Sequence, residues 1–410
     1  MEPYRHILEQ HVDDAAFLWV LRSVATSQPH YTADDLQELE IRIEKHLDGI
    51  LMSLAHAWPL CLQTGEFQEG GEAFVLAVTA FRSLETDKIK CAVDLGDCNE
   101  QTFEGLASAL AWLPGNLCHE WMKKFFVSKE LWHKRLALAA CGLRLEDPAD
   151  YLNRILERED CRAYSPLYCQ ALRSVGEFKR QDLLSALDQA LVTDEESAVY
   201  WALRSKVLLG DRTAALQLEH FVFSDNPHRD QALQLAFRVL PLETARAWIS
   251  KLGAAGGDPK QVIKASAALG DPQAIGWLVQ QMRNPELARV AGEAFSLMTG
   301  IDLERRHLAL DVPDITEFQR AEEDSPVGLD EEEHLPWPDV EKVAAIWQKY
   351  GAAFVPGNRY FLGKPVEINH LKQALGTAYQ RQRQAAALEL ALLDPAQPLI
   401  NLAACRSRAG

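Results

Sequence analysis

The sequence predicts an all-α protein: a solenoid of stacked helical hairpins between an N-terminal helical cap and a mostly helical C-terminal extension. Three observations carry this. Breaks between short apolar helical patterns recur at Glu85, Gly115, Asp147, Glu177, Asp211, Glu243 and Asp271, at intervals of 28 to 34 residues. That period, about 31 residues, lies in the range of helical-hairpin arrays. Apolar residues follow the breaks at helical spacing, as in Ala245, Trp248, Ile249 and Leu252, or Ile275, Leu278, Val279 and Met282, and one hairpin alone cannot hide such a stripe. Finally, the stretch Gly270-Asp271-Pro272 reads as punctuation inside a hairpin. Glycine can take the left-handed conformation that closes a helix, aspartate can cap the next one, and proline fits its first position.

Taken in order, residues 1–65 form the cap. Thr32 opens "TADDLQEL" as an N-cap whose acids suit the positive end of the helix dipole, and the helical pattern then runs to about Leu62. Residues 66–300 are the array. Residues 301–338 are an acidic, proline-bearing linker, and residues 339–410 carry helical patterns at Asp339 to Tyr350 and Ile368 to Leu393 around an irregular "GAAFVPGNRYFLGKPVE".

The chain has 410 residues, 48% hydrophobic and 25% charged, which fits a folded protein with a substantial core. A formal net charge of -17 argues against nucleic acid and anionic membranes, whose affinity comes from Lys and Arg displacing counterions. The acidity instead favours a basic protein or segment as partner, with the oligomeric state left open. No apolar run reaches the length of a membrane helix, the N-terminus lacks a signal-peptide pattern, and the eight cysteines include no Cys-x-x-Cys pair. A cytoplasmic setting with reduced, buried thiols is expected.

The breaks "SDNPHRDQAL" and "MRNPELARVAGEAF" place Asn-Pro before a helix, with Arg229 or Arg289 a few residues on. In this wording, and in the Gly-Asp before the second helix, the chain over about residues 70–300 resembles the HEAT-like repeat family, although units before Asp147 lack the Gly-Asp. The resemblance implies a right-handed α-solenoid and little about activity. The C-terminal "LPWPDVEKVAAIWQKY", "GNRYFLGKP" and "RQRQAAALELALL" look like a bacterial HEAT-like family whose members accompany type VI secretion systems. That resemblance implies a partner-binding role there, as an adaptor or chaperone-like accessory of effector loading, and supplies no catalytic residue. An immunity protein that neutralises a toxin is the alternative within the binding class.

An enzyme on a HEAT-like scaffold, of lyase, metal-dependent hydroxylase or DNA glycosylase type, is the alternative of another class. A di-iron site needs His and carboxylate ligands from several helices, and the chain offers one His-Glu dipeptide, His119-Glu120, beside Cys118. Glu331 precedes His334 by three residues, a metal-bundle spacing, but within an acidic charge run. A glycosylase would line a basic groove with tryptophans; Trp201, Trp248 and Trp277 fall in the array, Trp248 on a core stripe, and the acidity removes the basic groove. No metalloprotease, phosphate-loop or nucleophile-elbow motif is present. The sequence therefore assigns no catalytic, cofactor-binding or metal-ligating residue, and it does not reveal which helix of each pair would meet a partner.

Overall fold

A computed structural model describes residues 4–254, 257–310 and 332–405, and these are predominantly helical. Two compact units emerge: Met1–Ser27 with Tyr31–Ser205 and Pro398–Gly410, and Gln28–His30 with Lys206–Gln397.

In the first unit, α1 (Arg5–Ala25), α2 (Ala33–Met52) and α3 (Leu54–Gly65) pack on one another and on α4 (Gly70–Ser83). Thr32 caps α2 as its sequence foretold, in a capping box with Asp35. The pattern expected to continue to Leu62 is broken at Ser53, whose φ of -129° and ψ of 36° end α2. Pro59 then lies inside α3, where its missing N–H removes one helical hydrogen bond.

Helices then follow in succession along the chain: α4 and α5 (Thr86–Gly96), α6 (Glu100–Trp112) and α7 (Gly115–Val127), α8 (Leu131–Arg144) and α9 (Asp150–Glu157), and, after the short α10 (Glu159–Ala163), α11 (Ser165–Glu177) and α12 (Leu184–Ala190). Glu85, Gly115, Asp147 and Glu177 all fall at the turns or helix ends between partners. The first helices touch in series, α4 on α6, α6 on α8, α8 on α11. They are also the more buried: ten of fourteen positions in α4 against three of eleven in α5, and eight of thirteen in α6 against four of thirteen in α7. α13 (Glu196–Leu208) crosses α11 closely, with Ser205 Oγ accepting from Gly176 N at 3.2 Å and donating to Leu172 O at 2.6 Å. A Cβ on Gly176 would lie 2.6 Å from Ser205, so glycine is required there. The C-terminal tail is tied to this unit by Leu399 N on Glu177 O and by Arg22, which donates to Ala403 O and to buried Glu40.

The second unit repeats the arrangement. α14 (Ala214–Gln217) and α15 (Glu219–Phe223) lead into α16 (Arg229–Val239) with α17 (Leu242–Leu252), then α18 (Pro259–Leu269) with α19 (Ile275–Gln281), then α20 (Pro285–Thr299). Here too the first helices pack in series, α16 on α18 and α18 on α20. Gly270 adopts φ of 72°, Asp271 accepts from Gln273 N, and Pro272 opens a 3₁₀ turn ahead of α19, so the Gly-Asp-Pro break works as read from sequence. Asn284 likewise caps α20, with Pro285 at its first position.

The ends of the acidic linker are structured, while its middle, including Glu331, lies outside the described residues. Leu303, Leu308 and Leu335 are buried. Ala309 pairs with Pro338, and Leu310 N donates to Trp337 O and Asp339 N to Leu308 O, both at 2.7 Å. Asp339 then caps α21 (Val340–Tyr350), which packs on α19. The irregular stretch holds a two-residue hairpin, β1 (Tyr360–Phe361) antiparallel to β2 (Lys364–Pro365). α22 (Ile368–Thr377) and α23 (Gln380–Leu393) pack as a pair, with β1 on α20 and α23 on α16. Arg359 anchors this segment: it donates to Leu269 O at 2.9 Å and Arg238 O at 2.8 Å and pairs with buried Glu389, which also faces buried Arg238 at 3.4 Å. No helix among the described residues is long and apolar enough to cross a membrane.

Candidate functional site

The structure sends the residues singled out by chemistry in different directions. His119 and Glu120 sit on the exposed face of α7, His119 Nε2 2.6 Å from Glu146 Oε2 and Glu120 paired with Lys124 at 2.7 Å, while Cys118 is buried. The dipeptide thus splits between two separate surface contacts. The ring of His334 lies against that of His30, centroids 4.3 Å apart and tilted at 60°. Trp248 is core, edge-on to Phe223 and Phe237; Trp201 lies under the guanidinium groups of Arg173 and Arg204, 5.3 Å from each; Trp277 is partly exposed. Among the described residues no group of three or more His, Cys, Asp and Glu could hold a metal ion.

The expectation of buried thiols needs correction. All eight cysteines are free and Cys61, Cys118, Cys141 and Cys161 are buried, but Cys91 and Cys98 are exposed. Their helix α5 turns only a narrow stripe inward, through Ile89, Ala92 and Gly96. Cys169 meets the Glu195 carboxylate, which also accepts from Ser165. Burial, with that negative charge beside it, pushes the thiol up to about 11, the opposite of what an activated nucleophile requires.

What sequence reading missed is a cavity of about 340 Å³ in the first unit, where the end of α7, the start of α8, α9 and α10 meet. Phe126, Tyr151, Ile155 and Cys161 give it an apolar wall, and Lys129, Lys134, Arg154, Arg158 and Glu157 a charged lining. Phe126 and Tyr151 stack in parallel, 4.4 Å apart at 6°. Lys134 is buried and donates to Phe126 O at 3.1 Å and to Ser128 O, where it satisfies carbonyls left open at the end of α7. Burial draws its pKa below the usual lysine value and raises that of the neighbouring Cys161 thiol. Arg158 is held by Asp160 at 2.5 Å. Tyr151, Arg154 and Ile155 are spaced i, i+3, i+4 along α9, so their shared face was readable; the approach of Lys134 from another helix was not.

No family model, curated protein or solved structure matches the chain.

Proposed function

We propose that this chain is a HEAT-like, right-handed α-solenoid that acts without catalysis, binding another protein through the exposed faces of its second helices. The observation that carries the reading is the unequal burial of successive helices, as between α4 and α5, α6 and α7, or α16 and α17. First helices are sandwiched between first helices, whereas α5, α7, α9, α12, α17 and α19 spend one face on the stack and keep the other in water. A series of such faces is an extended docking surface whose chemistry varies without disturbing the core. In the first unit that surface is mixed in sign, with Asp87, Lys90, Asp94, Glu120, Lys123, Asp150, Arg154 and Asp188 all exposed. It selects a partner by its charge pattern more than by a uniformly basic character. Eight Asp and Glu against one Arg in residues 311–331 hold much of the net acidity instead.

The resemblance of the C-terminal wording supports an adaptor or chaperone-like role in type VI effector loading. Affinity capture from the native host should recover a secretion component or effector with the wild-type chain. Recovery should be lost when exposed Lys90 and Lys123 are both changed to Glu. Capture of metabolic enzymes or nucleic acid alone, or recovery indifferent to those substitutions, would overturn the reading.

A further inference from the structure

We propose that the cavity between α7, α8, α9 and α10 is a binding site for a small organic anion, a carboxylate or phosphate carried on an apolar or aromatic body. The proposal goes beyond the protein-docking reading and stands or falls separately from it. Its first support is charge: four cations and one anion line the cavity in a chain of net charge -17. Arg158 is taken up by Asp160, but two of the others are not consumed by structural pairing. Among the described residues Lys129 and Arg154 pair with no carboxylate, and the closest ring to Arg154 is its helix neighbour Tyr151, 5.9 Å away. Lys134 is the telling group. The residue is 6% exposed, and its two hydrogen bonds go to carbonyls, Phe126 O and Ser128 O. An ammonium has three donors, and the two carbonyls take up two of them. An anion in the cavity supplies the third acceptor.

Size and shape are the second support. About 340 Å³ falls at the lower end of small-molecule sites, which are walled by apolar groups with a few polar groups fixing orientation. The Phe126–Tyr151 stack and Ile155 provide a stiff, flat wall. Arg154 offers a planar fork suited to a carboxylate or phosphate, and Lys134 a point charge.

Phenyl phosphate combines both halves of the expected ligand, and inorganic phosphate and phenol are its parts. Titrated calorimetrically into the full chain, phenyl phosphate should bind at least ten times more tightly than either part. Arg154→Gln, at an exposed position, should weaken it about tenfold with the melting temperature unchanged, and Lys129→Gln should weaken it less. Arg212→Gln, on an exposed residue of the second unit, should have no effect. Absence of heat with phenyl phosphate, affinity unchanged in Arg154→Gln, or equal weakening by Arg212→Gln would each overturn the proposal.

Discussion

At the residue scale the molecule relies on a few charges taken out of water with their counterions. Arg238 is fully enclosed, and burial draws its guanidinium down to about 10, against the pull of Glu389; it therefore stays charged at neutral pH and depends on that carboxylate. Glu389→Gln strands Arg238 and Arg359 together and should cost about 3–5 kcal/mol, read as a lowered urea midpoint. Glu177 has the opposite balance: burial pushes its pKa up, but Arg173 and Arg204 outweigh burial and hold it below the ordinary value. A depressed carboxylate stabilises the fold above its unfolded pKa of about 4.3, and that contribution is lost as pH falls through the lower folded value. Glu177→Gln should flatten the acid limb of the stability curve below about pH 4, leaving other carboxylates to shape the rest. Gly270→Ala forces a Cβ into the left-handed region 2.5 Å from Tyr360 O and should cost about 1–3 kcal/mol in thermal unfolding.

At the element scale the local signals were legible and the distant ones were not. Thr32 and Asp271 announce helix starts because a cap acts on backbone two or three residues away, within reach of any sequence reading. Yet the two caps differ in weight. Thr32 satisfies its own helix, so Thr32→Ala should lower stability by about 1 kcal/mol. Asp271 is 3% exposed and also holds Arg246 through two hydrogen bonds, of 3.0 and 2.6 Å, and Gly357 N at 3.1 Å. Asp271→Ala leaves these donors without their acceptor and should cost about 3 kcal/mol or more, a contrast that parallel denaturant titrations of the two variants will measure. Nothing local marks Gly357 as a partner of Asp271, since 86 residues separate them. The break at Ser53 escaped for a different reason: apolar spacing runs through it, and periodicity alone does not register a change of helix axis.

At the scale of the whole molecule, the recurrent breaks made the all-α class legible, because each turn is written in a few adjacent residues. The cavity and the Arg238–Arg359–Glu389 cluster were illegible, because each forms only when helices distant in sequence meet. The decisive claim is that every hairpin buries its first helix and presents its second. Amide hydrogen exchange along residues 70–300 measures it directly. Protection should rise and fall with the period of about 31 residues, highest in α4, α6, α8, α11, α16 and α18, lower in α5, α7, α9, α12, α17 and α19, and least at the turns, since opening free energy follows local burial. Uniform protection across both helices of each pair, or a profile without that period, would contradict it.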